Sequence, residues 1–142
     1  MCITNFRKLD KQVLNAIVFA IGKPYKFNCF DLSGFDCYTL IYYLYSKAGL
    51  KLPKENIGSY SLKVHSKIIQ ETALNFDVVS FLNRQELDIL LFESSSSVDA
   101  HLGMVLDYYN FIHVDKTHTV RIEPFARNIM LGKLRKVYRW KS

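Results

Sequence analysis

The stretch of residues 22–53 reads GKPYKFNCFDLSGFDCYTLIYYLYSKAGLKLP and contains a loop followed by a helix. Glycine, proline and asparagine in its first part favour a loop, and the apolar residues of its second part recur at helical spacing. Asp36 stands where it can cap a helix over residues 37–48, and Gly49 can end that helix with a positive φ. The apolar stripe of the predicted helix consists of Leu40, Ile41, Leu44 and Tyr45.

The first residue of this predicted helix is Cys37. A sulfur at a helix start lies near unpaired backbone N–H groups and the positive end of the helix dipole, which favour a thiolate. Cys37 is therefore a candidate nucleophile. The alternative is a small buried apolar residue, which is how most free cysteines behave. A catalytic role needs a histidine from elsewhere in the chain.

The rest of the sequence predicts helices first and strands afterwards. An amphipathic helix follows Asp10, with Val13, Leu14, Ile17 and Val18 on one face, and a third helix is predicted from Ser61 to Leu74. Five short strands with period-two patterning are predicted at Asp88–Phe92, His101–Asp107, Phe111–Val114, Thr119–Glu123 and Arg135–Trp140. We therefore predict one α+β domain over residues 1–142, with N-terminal helices packed on an antiparallel sheet of about five strands.

Composition excludes several classes of protein. Aromatic residues make up 14% of the 142 residues, which excludes a disordered chain. No apolar run reaches the roughly 18 residues of a membrane-spanning helix, and residues 13–21 fit an amphipathic helix better than a signal peptide. Three cysteines indicate a reducing compartment rather than a disulfide scaffold. The net charge of +6 is diffuse, so we predict attraction to an anionic polymer or a solvated basic face, and no specific nucleic-acid site.

The four histidines differ in their predicted surroundings. His65 and His118 fall on a polar helix face and in a turn, where we expect solvated side chains. His101 opens one predicted strand and His113 closes the next, so pairing of the two strands brings both imidazoles to one end of the sheet. A histidine aimed at a thiol with a polar group behind it is the arrangement of a nucleophile–base–orienter triad. Spacing typical of a metal site or a phosphate loop is not found.

Two stretches resemble the signature of the NlpC/P60 family of cysteine peptidases, which cut peptide bonds in bacterial cell-wall peptidoglycan. Residues 22–53 contain Gly-Lys-Pro-Tyr, then Gly-Phe-Asp-Cys before the helix, then Gly-Leu-Lys-Leu-Pro. Residues 87–113 read LDILLFESSSSVDAHLGMVLDYYNFIH and are similar to the family's second half, with an aromatic-ended strand, a His-x-Gly strand and an aromatic-Ile-His segment. The order of cysteine before histidine is that of the unpermuted family.

The resemblance implies a papain-like α+β fold and assigns roles to five residues. Cys37 would be the nucleophile, His101 the base, and His113 the polar group that holds the His101 ring. Tyr25 matches the tyrosine near the oxyanion site. Asp36 matches the acid before the nucleophile, where it either caps the helix or contacts a substrate amine. No metal and no cofactor are implied.

The sequence departs from the family pattern at three places. At one of them Leu87-Asp88 replaces the usual Gly-Asp before a strand, which affects a turn rather than the chemistry. Asn28 and Cys29 replace the usual pair of glycines, so a bulkier loop with a second thiol is expected near the nucleophile. Tyr38 and Thr39 replace the usual Ser-Gly pair, and Tyr38 is expected to reshape the substrate groove. In having an aromatic residue at this point, the chain resembles phage tail-tip members of the family.

The expected function is that of a cysteine endopeptidase or amidase whose substrate is a peptidoglycan stem peptide. The alternative is a phage tail or delivery-device component, or an exported effector, in which the domain has an assembly or binding role and contacts tail or secretion-device proteins. Because no signal peptide is recognised, we expect synthesis in the cytoplasm and action on the cell wall after delivery or within a virion.

Overall fold

A computed structural model describes residues 9–54, 76–93 and 100–141 of the chain. Cys2, His65 and the helix expected over residues 61–74 lie outside these ranges. The helices are α1 (Lys11–Ala20) and α2 (Cys37–Lys47), with 3-10 helices at Phe81–Asn83 and Ile129–Lys133. The strands are β1 (Phe76–Val79), β2 (Ile89–Glu93), β3 (Ala100–Val105), β4 (Asn110–Asp115), β5 (His118–Pro124) and β6 (Leu134–Trp140). None of the helices described is long and apolar enough to cross a membrane.

The strands form one antiparallel sheet in the order β1-β6-β2-β3-β4-β5. The predicted α+β class, with N-terminal helices on an antiparallel sheet, is confirmed. The sheet has six strands rather than about five, and the additional strand is β1. This strand pairs with β6, where Phe76 faces Trp140. Strands β3 and β4 pair as the expected meeting of the two histidines requires, and they form a hairpin. Asp107 closes its turn by accepting hydrogen bonds from the backbone N–H groups of Tyr109 and Asn110.

Helix α1 buries Val13 and Ile17 as predicted, but not the other two residues of the predicted face. Asp10 caps it as expected, accepting a hydrogen bond from the Val13 N–H at 2.9 Å. However, Leu14 is 47% exposed and Val18 is 74% exposed. The buried residues are Val13, Ala16, Ile17 and Ala20. Their spacing of three and four residues follows one helical stripe, from which Leu14 and Val18 are rotated by about 100°, so the small alanines let the helix pack closely instead.

Helix α2 begins and ends as the sequence predicts. The Asp36 side chain accepts a bond from the Thr39 N–H at 2.8 Å, and the Thr39 hydroxyl accepts one from the Asp36 N–H at 2.9 Å, which completes a capping box. Gly49 has a φ of +77° just beyond the helix. The predicted stripe of Leu40, Ile41, Leu44 and Tyr45 is buried. A helix fixed at both ends in this way holds its first residue, Cys37, in a defined place.

Apolar residues are buried on both faces of the sheet. Helices α1 and α2 pack over one face, against residues that include Leu91, Leu102 and Ile112. A second cluster contains Leu90, Phe92, Val105, Phe111, Phe125 and Val137, with residues of the second 3-10 helix packed against it. Alternate residues of the central strands therefore point to opposite clusters, as the period of two requires.

The loop before α2 is fastened to the segment that enters the helix. Phe35 donates its N–H to the Pro24 carbonyl and accepts the N–H of Lys26, each at 3.0 Å. Gly34 lies so close to this pair that a Cβ atom placed on it would be 2.7 Å from the Pro24 carbonyl oxygen. A side chain at residue 34 would therefore push the loop away from the start of α2.

Replacing Gly34 with alanine should destabilise the protein by about 1–3 kcal/mol, because the added methyl group meets a backbone oxygen that cannot rotate away. Urea unfolding of the wild type and the variant measures this difference. Gly132→Ala is the matched control, because a Cβ atom there meets nothing within 4 Å. Equal unfolding midpoints for the two variants would contradict the close approach.

Candidate active site

The Cys37 side chain is buried at the junction between α2 and β3, with 5% of the residue exposed. Hydrogen bonds from the backbone N–H groups of Leu102, Cys37 and Tyr38 favour its thiolate. The N–H groups of Cys37 and Tyr38 are at the helix start, as predicted. Leu102 belongs to β3 and follows His101 directly in the chain. The fold thus brings the cysteine of the first half of the sequence to the strand that contains His101.

The expectation of a thiolate in the free protein is corrected by the structure. Burial is the largest influence on the thiol, and together with the nearby charge of Asp36 it raises the pKa of Cys37 to about 12 despite the three backbone N–H groups. Removal of the sulfur from water penalises the charged form more than the helix start favours it. At neutral pH the resting cysteine is therefore a neutral thiol.

Cys37 should consequently react slowly with iodoacetamide at pH 7, and the rate should keep rising beyond pH 10. A pKa of about 12 against an ordinary 9.0 makes the thiolate about a thousandfold scarcer, and the higher nucleophilicity of a more basic thiolate recovers about twentyfold of that. We expect modification about fiftyfold slower than in the urea-unfolded chain, measured by mass spectrometry of the Cys37 peptide. A rate that levels off near pH 7 would contradict this.

His101 and His113 lie together, as the hairpin predicts. Nε2 of His101 is 2.8 Å from Nδ1 of His113, and the two ring centroids are 5.0 Å apart. His113 is fully buried, and His101 is partly exposed. The ring of Phe111 packs against His113 at 5.0 Å between centroids, and that of Phe92 against His101 at 5.9 Å. Aromatic packing and the hydrogen bond together restrict the orientation of the two imidazoles.

Glu123, which the sequence analysis did not single out, is the next member of this group. Its Oε2 forms a hydrogen bond with Nε2 of His113 and lies 3.0 Å from Nη2 of Arg121. Asn128 donates to the other carboxylate oxygen at 3.4 Å. The sequence signal that could have identified Glu123 is the β4–β5 hairpin. His113 is paired with Arg121 across this hairpin, and Glu123 is two residues further along β5 on the same face.

The charges around His113 shift its pKa and that of Glu123. Burial is the largest influence on His113 and lowers its pKa; the hydrogen bond to Glu123 opposes this and the Arg121 charge adds to it, so the net pKa is below its ordinary value. Burial raises the pKa of Glu123, but the bond from His113 and the charges of His113 and Arg121 outweigh it and leave a lowered pKa. A neutral imidazole is thus held beside an ionised carboxylate at neutral pH.

Tyr25 lies near the thiol. A backbone bridge joins Tyr25 to Phe35, immediately before the helix cap. Partial burial, followed by the charges of Asp36 and Cys37, raises the pKa of Tyr25 to about 12. Its hydroxyl therefore keeps its proton at neutral pH and can donate a hydrogen bond.

Asp36 serves the local structure. Its residue is fully buried, and its second carboxylate oxygen accepts the Asn28 N–H at 2.5 Å while the first caps α2. Burial, which is the largest influence, raises its pKa against the opposing hydrogen bonds. Of the two roles considered for this residue, the structure displays helix capping, together with a tie to the loop before the helix.

Among the positions that depart from the family pattern, Tyr38 lies elsewhere than expected. Tyr38 is only 3% exposed, and its hydroxyl donates to the Pro53 carbonyl at 2.5 Å, so its bulk lies in the core rather than in an open groove. The Cys29 thiol donates to the Asp31 carboxylate at 3.1 Å. Cys29 and Cys37 are both free thiols.

Among the residues that the structure describes, no group of histidine, cysteine and acidic side chains could hold a metal ion. His118 is exposed in the β4–β5 turn, where its Nδ1 is 3.0 Å from the Asp115 carboxylate. The predicted surface position of His118 is confirmed.

Comparison with known proteins identifies relatives of the fold. Residues 22–139 match the NlpC/P60 family model. No curated protein matches the chain. An NlpC/P60 family protein from Bacillus cereus ATCC 10987 is similar in structure, with a TM-score of 0.71 and 18% identity over 96% of this chain and 41% of that one. This chain therefore spans less than half of that relative.

Two further solved structures are similar over nearly their whole length. The NlpC/p60 domain of the peptidoglycan hydrolase SagA has a TM-score of 0.60 and 20% identity, over 90% of this chain and 96% of that one. RipD from Mycobacterium tuberculosis, described as a non-catalytic NlpC/p60 domain protein adapted to peptidoglycan binding, has a TM-score of 0.61 and 18% identity, over 94% and 97%. These likenesses concern the fold, and the family match extends over most of the sequence. The chain belongs to the NlpC/P60 family.

Proposed function

We propose that the protein is a cysteine peptidase that hydrolyses peptide bonds in peptidoglycan stem peptides. Its family consists generally of cysteine peptidases and peptidoglycan hydrolases. The observation that supports the proposal most directly is the Cys37 thiol beside the Leu102 N–H, one residue from a histidine that is hydrogen-bonded to a second histidine. In this proposal Cys37 is the nucleophile, His101 the base and His113 the group that orients the base.

The reaction begins from a neutral thiol. Because the pKa of Cys37 is raised to about 12, the proton must leave as the sulfur attacks the amide carbonyl, and His101 takes it. The C–S bond forms, the tetrahedral intermediate collapses, and His101 returns the proton to the leaving amine. Water, deprotonated by His101, then hydrolyses the thioester and regenerates the thiol.

Two donors near the sulfur suit the negative oxygen of the intermediate. The backbone N–H of Cys37 is at the start of α2, where the helix dipole favours an anion. The Tyr25 hydroxyl, which keeps its proton, is the second donor. Preorganised donors of this kind are each worth a factor of about 100 to 1,000 in kcat. The net charge of +6 favours approach to an anionic wall polymer.

The second candidate function is binding of stem peptides without cleavage. The observation that favours it is the buried, neutral Cys37 thiol, which is a poor nucleophile until its proton is removed. A structural relative, RipD, is described as non-catalytic and peptidoglycan-binding.

Digestion of purified peptidoglycan of known stem-peptide chemistry separates the two functions. The full chain is incubated with the wall material under reducing conditions, and the soluble products are identified by mass spectrometry. Cleavage should release peptides with one new amino and one new carboxyl terminus, each bond adding one water. Sedimentation of the protein with the wall and no released peptide would overturn the peptidase proposal in favour of binding.

A further inference from the structure

Three side chains from three adjacent strands form a continuous hydrogen-bonded row. Glu123 of β5 bonds to Nε2 of His113 of β4, and Nδ1 of His113 is 2.8 Å from Nε2 of His101 of β3. Both nitrogens of the buried His113 are therefore engaged, one on each side. Such a row is sensitive to where its protons lie, because each contact needs one donor and one acceptor.

The carboxylate of Glu123, at the end of the row, determines where the proton between Glu123 and His113 lies. Arg121 Nη2 at 3.0 Å and the amide of Asn128 at 3.4 Å surround the carboxylate of Glu123 with donors. The lowered pKa of Glu123 agrees with this arrangement, so the group is ionised at neutral pH. An ionised carboxylate can only accept hydrogen bonds. The proton in the bond between Glu123 and His113 therefore belongs to Nε2 of His113.

The remaining protons follow from the neutrality of His113. A neutral imidazole has one N–H, so Nδ1 of His113 has no proton and accepts. Its partner at 2.8 Å, Nε2 of His101, must then donate. In neutral His101 the bare nitrogen is therefore Nδ1.

We propose that Glu123 is a positioning residue that fixes the tautomers of His113 and His101 and so leaves Nδ1 of His101 as the nitrogen that takes the thiol proton. The transfer of the thiol proton to Nδ1 of His101 rests on the proposed peptidase function, whereas the tautomers do not. When Nδ1 takes the proton, His101 becomes an imidazolium whose Nε2–H still donates to His113. The carboxylate of Glu123, one ring further on, then stabilises the positive charge.

The tautomers can be observed directly in the resting protein. Long-range ¹H–¹⁵N correlation spectra of the ¹⁵N-labelled full chain at pH 7 distinguish protonated from bare imidazole nitrogens. We expect His113 to be protonated at Nε2 alone and His101 to have a proton on Nε2. Protonation of His113 at Nδ1, or at both nitrogens, would overturn the proposal.

Two substitutions test whether Glu123 is the cause. Glu123→Ala removes the acceptor, so His113 should become a mixture of tautomers. Glu123→Gln should retain the Nε2–H form, because Arg121 donates to the same position and holds the amide oxygen there. Asp77→Asn is the matched control, because it neutralises another acid that is paired with a cation. Asp77 is on β1, at the opposite edge of the sheet, and its Oδ1 is 3.6 Å from Nζ of Lys141. An unchanged His113 tautomer in Glu123→Ala would overturn the assignment.

Kinetics provide the second measurement. Glu123→Ala should lower kcat about 10- to 100-fold with KM unchanged, which is less than the roughly 10⁴-fold loss when a triad's own acid is replaced by an amide. Glu123→Gln should recover most of that loss. A wild-type protein with the expected tautomers and no cleavage would end the peptidase proposal and leave the tautomer assignment intact. Cleavage with the opposite tautomers would do the reverse.

Discussion

Cys37→Ser should reduce release of stem-peptide fragments by about a millionfold, leaving only the acceleration that the oxyanion donors and substrate binding provide, because a hydroxyl in that site is a far weaker nucleophile than a thiolate. Cys29→Ser should leave the rate within about twofold, since that thiol bonds to Asp31 in a partly exposed loop. Both variants replace a cysteine sulfur with a serine oxygen, so Cys29→Ser is the matched control for Cys37→Ser. Product formation followed by mass spectrometry measures both.

A double variant sharpens this prediction. If Cys37 and His101 act as one unit, Cys37→Ser with His101→Ala should be no slower than Cys37→Ser alone, because a unit that is already disabled loses nothing more. Losses that multiply would show that the two residues act independently. Undiminished cleavage by Cys37→Ser would remove the proposed nucleophile altogether.

His101→Ala should be nearly as damaging as the loss of the nucleophile, and His113→Ala should be milder by one to two orders of magnitude. A base that accepts the proton is indispensable to the unit, whereas a group that orients the base leaves part of the activity when it is lost. His118→Ala is the control for removing an imidazole, because His118 is exposed in a turn. Single-turnover rates on a defined stem peptide give the comparison.

The stability of the histidine variants must be measured alongside. His113 is fully buried and bonds to Glu123, so His113→Ala leaves a cavity and a carboxylate without that partner. His113→Asn keeps a polar group of smaller size and should retain more of the melting temperature. Equal kinetic losses for folded His101 and His113 variants would contradict the assigned roles.

Local signals in the sequence were sufficient for α2 and for the pair of histidines. Asp36 and Gly49 bound the helix within a dozen residues, and the turn before Asn110 fixes which strands pair. Strand β1 was missed because it has four residues and its partner, β6, lies far along the chain. Its exposed middle residues do not alternate clearly, so only the long-range pairing identifies it.

The properties that were not predicted depend on three-dimensional surroundings. The sequence predicts the helix start at Cys37, but the burial that raises the pKa of this thiol arises from tertiary packing at the junction of α2 and β3. Glu123 required the register of two hairpins at once, β3 with β4 and β4 with β5. The apolar character of Leu14 and Val18 predicts core positions, whereas the close approach that Ala16 and Ala20 allow buries the neighbouring stripe of the helix.

The inner position of β6 has a consequence for biosynthesis. This strand is the last in chain order, yet it lies between β1 and β2, and β2 is the neighbour of the strand that contains His101. During translation the cysteine emerges early, but the sheet that supports its histidine cannot close until the final strand has left the ribosome. Chains that end before residue 134 therefore contain the Cys37 thiol without the strand that supports β2 and, through it, β3.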